Sequence, residues 1–196
     1  MKEFKTERRL KRIEKVLTER QFSLRMVLEN IHDPHNVSAI FRTCDAVGVP
    51  AVDLIYTFET FPQISKITSA SSKKWIEQNK YDSVLDCVNN LKSEGFEVYG
   101  SILSESAESI YDVDFTKKIA IIMGNEHRGI SEEITNLVDK QIYIPMHGMI
   151  QSLNVSVAAA VILYEAQRQR LNKKMYEKSE LSNNQLVNLI NVWCNK

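Results

Sequence analysis

The spacing of apolar positions divides the chain into short dense runs of strand type and longer stretches with the three-and-four repeat of an amphipathic helix. LRMVLEN (24–30) and AVDLIYTF (51–58) read as strands, and between them HNVSAIFRTCDAVGV (35–49) reads as a helix stopped at Gly48. TSASSKKW then reads as a polar loop. SVLDCVNNLKSEG (83–95) is helical with a glycine stop, FEVYGSIL (96–103) and KKIAIIM (117–123) are strands, ISEEITNLVD (130–139) is a helix, and QIYIPM (141–146) is a short strand. A long apolar helix over 152–170 closes the core, and NNQLVNLINVWC (183–194) forms one more amphipathic helix. This alternation predicts an α/β fold, a parallel sheet with helices on both faces.

With 196 residues, 43% of them apolar, the chain can bury a substantial core. Cys44, Cys87 and Cys194 lie far apart with no Cys-x-x-Cys pair and no partnered His spacing, which suggests neither a disulfide framework nor a zinc site and fits the cytoplasm. A start charged from its second residue argues against a secretory signal. The longest apolar run, Val155 to Tyr164, is about half a membrane span, so no membrane partner is expected.

Charge changes the picture at one end. The formal net charge is zero, yet residues 1 to 25 hold nine Lys/Arg against four Glu, leaving +5 there and −5 over the rest. Within TERRLKRIEKVL the apolar Leu10, Ile13, Val16 and Leu17 recur at helical spacing, with Arg8, Lys11, Arg12 and Lys15 on another side. Such a face is either simply solvated or, together with Arg9, a phosphate-contacting arm. The division expected is a basic helical arm over 1–22, an α/β domain over 23–170 and a helical extension over 171–196.

In parallel α/β sheets ligands gather at the carboxyl ends of the strands. After IAIIM comes GNEHRGIS, where Gly124, Gly129 and Ser131 are spaced as in a phosphate loop, but Ile130 stands in place of the lysine that a nucleotide's terminal phosphates require. After VLEN comes IHDPHN, with Asn36 expected to cap the following helix and Arg42 on its polar side. A surface pair between Arg42 and Asp45 is the ordinary alternative to a catalytic role for that arginine. After IYIPM comes HGMIQSLN, whose Ser152 and Asn154 stand where side-chain oxygens cap a helix start.

NIHDPHNVSAIFRTCDAVGV, IIMGNEHRGIS and IPMHGMIQSLNVSVAAAVILYEAQRQR together resemble, in order and spacing, the three signature motifs of the TrmH branch of the SPOUT superfamily of RNA ribose 2′-O-methyltransferases. The likeness covers roughly residues 6 to 171 and is nearest to the tRNA (guanosine-18) 2′-O-methyltransferases, because RRLKRIEKVLTERQ also resembles their N-terminal arm. It implies a trefoil-knotted α/β domain, a homodimer, S-adenosyl-L-methionine as cofactor, tRNA as substrate and no metal. Carried over by motif, the cofactor contacts fall on Ser101, Gly124, Ile144 and Leu153. The catalytic set falls on Asn36, Arg42, Glu126, Ser152 and Asn154.

The chemistry so implied is in-line attack of a ribose 2′-oxygen on a sulfonium methyl, where the enzyme must align the oxygen, exclude water and handle one proton. Arg42 is the expected proton handler, but a guanidinium is essentially always protonated. Either its surroundings permit transient deprotonation, or it stabilises the developing alkoxide while another group takes the proton. Glu126 can alternatively support its loop or the helix that follows. The same motifs are compatible with an rRNA substrate, or with an RNA-binding factor that keeps the fold without the chemistry.

Overall fold

The computed structural model describes residues 6–62 and 72–196. The described elements run α1 (Glu7–Glu19), β1 (Leu24–Glu29), α2 (Pro34–Val47), β2 (Ala51–Ile55), α3 (Ser72–Trp75), β3 (Glu77–Tyr81), α4 (Val84–Ser93), β4 (Glu97–Ser101), β5 (Glu108–Ser109), β6 (Ile119–Met123), α5 (Glu132–Leu137), β7 (Lys140–Tyr143), α6 (Val155–Asn172) and α7 (Asn183–Cys194). The strands pair in the order β3-β2-β1-β6-β4-β7-β5, every pairing parallel. All the carboxyl ends therefore open on one edge of the sheet.

Strand alternation sorts the core into two layers. Met26 and Leu28 of β1, Leu54 of β2 and Ile121 of β6 face α2 and α6, while Val27, Ile55, Ala120 and Ile122 face α4 and α5. Helices thus cover both faces, as the periodicity predicts. Local signals set the helix ends. Gly48 ends α2 in the left-handed region at φ 86°, Ser83 and Ser131 cap α4 and α5, and Ser182 with Gln185 forms a reciprocal capping box on α7.

Two sequence expectations need correction. The cap of α2 is Asp33, whose carboxylate accepts from the His35 amide at 2.8 Å with Pro34 in the first turn, so Asn36 lies inside the helix. The stretch expected as a polar loop lies partly outside the described residues, but its last four positions form α3, and α3 leads directly into β3. That strand was not expected because it is an outer strand with no fully buried position, so it lacks apolar alternation.

The basic helix packs onto the body. Ile13 and Leu17 of α1 meet Trp193 and Cys194 of α7 in a third apolar cluster separate from the sheet. Two cations counted with the arm turn inward. Arg20 is 1% exposed and bonds to the Val49 carbonyl and the Asp45 carboxylate, and Arg25 pairs with the buried Asp53 and with Glu94. No described helix is long and apolar enough to cross a membrane.

Candidate active site

The turn leaving β1, the loop after β6 and the loop before α6 meet above the carboxyl ends of the central strands, and asparagines join them. Asn30, at φ 49°, accepts on Oδ1 from the amides of Thr57, Phe58 and Glu59 at 3.0 to 3.4 Å, while its carbonyl takes Nδ2 of the buried Asn125 at 2.7 Å. Asn125 Oδ1 in turn accepts from the amides of His127 and Arg128. A side chain at Gly124 would bring its Cβ within 2.2 Å of the Gly129 carbonyl carbon, so the loop's own backbone already requires glycine there. The expected anion position at the start of α5 is taken by the buried Glu29, whose Oε2 accepts the Ser131 amide at 2.9 Å; burial pushes that carboxyl up. This occupant, with the missing lysine, removes the phosphate-loop reading.

Around this frame three of the expected catalytic residues form one chain of hydrogen bonds. Glu126 Oε1 accepts from Asn36 Nδ2 at 2.9 Å and from the Asp33 amide at 3.2 Å, and Oε2 accepts from the His32 amide at 3.0 Å. Asn154 Nδ2 donates to Asn36 Oδ1 at 3.0 Å, while Asn154 Oδ1 caps α6 by accepting from the Ser156 amide at 2.9 Å. Asn154 is therefore both a cap and a link to another motif. Burial acts to raise the Glu126 pKa, but the bonds from Asn36, His32 and Asp33 outweigh it and hold the carboxyl below its ordinary value. With its oxygens engaged by three donors from the start of α2 and the turn before it, Glu126 ties that region in place.

Arg42 and Ser152 are exposed, and neither side chain has a hydrogen bond or ion pair among the described residues. The Arg42–Asp45 pair, the ordinary alternative, does not form; Asp45 binds Arg20. Six residues of α-helix separate Asn36 from Arg42, which turns their side chains about 120° apart around α2. Of the expected cofactor residues, Ser101 ends β4, Gly124 follows β6 and Ile144 follows β7, three neighbouring strands in the sheet. Leu153 is half-buried just ahead of α6, and Leu103 stands 68% exposed beyond β4.

The structure adds residues that sequence reasoning passed over. Exposed His32 pairs with Glu59 at 3.1 Å, which raises its pKa through that hydrogen bond, and the Arg128 guanidinium lies 4.9 Å over the half-exposed ring of Phe58. Both stand beside Glu126. Asn30 carried one sequence signal, an asparagine placed just after an apolar strand, where a left-handed turn tolerates it.

Residues 23–164 match the SpoU rRNA Methylase family. The tRNA (guanosine(18)-2′-O)-methyltransferase of Thermus thermophilus is 45% identical over 192 residues, 98% of either chain. The A. aeolicus TrmH/SpoU tRNA modifying enzyme superposes with a TM-score of 0.89 at 41% identity, covering 95% of both chains. The SpoU methyltransferase AviRb from Streptomyces viridochromogenes, solved in complex with AdoMet, gives 0.67 at 28% identity over 79% of this chain and 62% of its own. Its parallel sheet, the loops joined at the carboxyl ends of the central strands and these likenesses lead to one conclusion: the chain belongs to the SpoU methylase family.

Proposed function

We propose that the protein transfers a methyl group from S-adenosyl-L-methionine to the ribose 2′-oxygen of guanosine 18 in tRNA. The observation that carries this reading is the reach of the Thermus likeness. It covers 98% of the chain, including the segments that form α1 and α7, which lie outside the stretch matched by the family as a whole. The shared core points to the chemistry, and the shared ends point to the substrate.

The carboxyl ends of β6, β4 and β7 suit the cofactor. They offer backbone beside a glycine that can carry no side chain, with apolar Leu103 after β4, Ile144 after β7 and Leu153 ahead of α6. Ser101, Gly124, Ile144 and Leu153 would hold it, and when bound it supplies a methyl already activated by positive sulfur. Asn36 and Asn154, fixed through Glu126 and the α6 cap, orient the ribose by directional hydrogen bonds. Ser152 brings a hydroxyl with no partner of its own among the described residues. Arg42, whose guanidinium has no partner among the described residues, stabilises charge on the attacking oxygen or takes its proton.

The rest of the reading follows the same line. Arg8, Arg9, Lys11, Arg12 and Lys15 face RNA phosphates, the chain divides into arm, knotted methyltransferase domain and helical extension, and it works in the cytoplasm. The knot is supported by β6 inserting between β1 and β4. A homodimer is supported by α6, whose first ten residues are almost all apolar and which leaves Val157, Tyr164 and Leu171 about half exposed at seven-residue spacing. The test is methyl transfer from labelled cofactor to tRNA and rRNA transcripts, followed by mapping of the labelled nucleotide. Label at position 18 of tRNA is expected. Label confined to rRNA, or none with either RNA, overturns the reading.

A further inference from the structure

We propose that the cavity enclosed by α1, α2, α3 and α7 receives one unstacked nucleobase of the RNA, with Arg8, Arg9 and Arg12 at the adjoining phosphates. The inference rests on the RNA-methylating reading and extends it to a site apart from the reaction centre. The cavity measures about 370 Å³. Its apolar wall is Ile13, Val16, Trp75 and Trp193, and its rim carries the three arginines. The indole centroids lie 4.8 Å apart with planes tilted by 41°, so the two rings touch each other and form one continuous aromatic wall.

Charge selects the occupant. Asp45, the carboxylate on the wall, is neutralised by the buried Arg20, which also lies 5.4 Å over the Trp193 ring. Lys11 and Lys15, elsewhere on α1, are engaged by Glu7 at 2.7 Å and Glu19 at 3.8 Å. Arg8, Arg9 and Arg12 have no carboxylate partner among the described residues. The uncommitted cations of the arm therefore gather where the tryptophans are. An aromatic wall beneath a row of free arginines matches a base attached to its phosphates, since every base offers a π face and the backbone on either side is anionic.

Trp75 and Trp193 are the only tryptophans in the chain, so intrinsic indole emission reports this cavity directly. The full chain is titrated with tRNA, with a single-stranded oligoribonucleotide, and with an abasic ribose-phosphate chain of equal length. Base-bearing RNA is expected to quench the emission, and the abasic chain to bind without quenching. Trp75→Ala should weaken the base-bearing oligonucleotide roughly tenfold or more and leave the abasic chain unaffected. Trp75→Phe should keep most of the affinity, which separates loss of a ring from loss of the fold. Equal affinity for the two oligonucleotides with unchanged emission overturns the proposal. If tRNA is methylated while its binding leaves the emission unmoved, the cavity fails as a base site and the methyltransferase reading stands. If tRNA neither binds nor is methylated, both fail.

Discussion

The candidate reaction centre and the α1–α7 layer are built on opposite plans. At the carboxyl ends of β1 and β6 nearly every polar side chain is committed: Asn36 to Glu126 and Asn154, Glu126 to two backbone amides, and Asn125 to Asn30. Arg42 and Ser152 have no hydrogen bond or ion pair among the described residues. On α1, exposed Arg8, Arg9 and Arg12 have no carboxylate partner among the described residues, and the helix is held by the apolar contacts of Ile13 and Leu17. Aligning an oxygen for in-line attack needs groups fixed in advance, whereas phosphates are held by charges that need little fixed geometry. The contrast implies that changes in the first region act on turnover and changes in the second act on RNA affinity.

The severest test of that division is Arg42. Arg42→Ala should lower turnover by about a thousandfold while leaving the melting temperature and cofactor affinity near those of the parent, because the exposed side chain makes no hydrogen bond or ion pair among the described residues. Arg42→Lys should be nearly as poor, since an ammonium does not reproduce the planar fork. Single-turnover methylation with a parallel melt measures both, and activity within tenfold of the parent would take Arg42 out of the mechanism.

Glu126→Gln should have a smaller effect, a fall in turnover of about tenfold with some loss of stability, because the amide that replaces the carboxylate accepts the Asn36, His32 and Asp33 donors less strongly. Its pH dependence carries a sign. The folded pKa is depressed, so the stabilisation by the carboxylate is fully present above the unfolded value, about 4.3, and is lost as pH falls through the lower folded value. Urea midpoints of parent and variant should therefore differ by a constant amount at neutral pH and converge in acid. A gap that widens on acidification would mean that Glu126 is not held as the carboxylate.

The least effect on turnover is expected in the arm, where the structure divides the cations into two sets. Replacing Arg8, Arg9 and Arg12 by glutamine should shallow the slope of log affinity against log salt by roughly 0.7 per phosphate lost, raise the apparent KM and leave maximal turnover unchanged. Replacing Lys11 and Lys15 should change the slope less, because each already has a glutamate. Equal slopes for the two variants would erase the distinction between free and paired cations.

The chain alone determined what depends on neighbours in sequence. Buried strands such as IAIIM, the glycine stop of α2 and all of α7 were legible, because hydrophobic period and capping are encoded within a turn or two. The Asp33 cap was also encoded, by the proline after it, and was misassigned to Asn36. The motif resemblance singled out Asn36, Glu126 and Asn154, and the structure joins them. Only the tertiary structure decided the rest. β3 escaped because an outer strand need not be apolar on either face. Arg20 reads in sequence as one more arm cation, but its guanidinium lies beneath the fold, bonded to the Val49 carbonyl and to Asp45. The tie of Glu126 to α2, 90 residues away from Asn36, and the gathering of Trp75 and Trp193 under the arginines of α1 are pairings between distant segments. Local periodicity holds no information on which distant side chains meet, because that follows from strand order and helix docking once the whole core has closed.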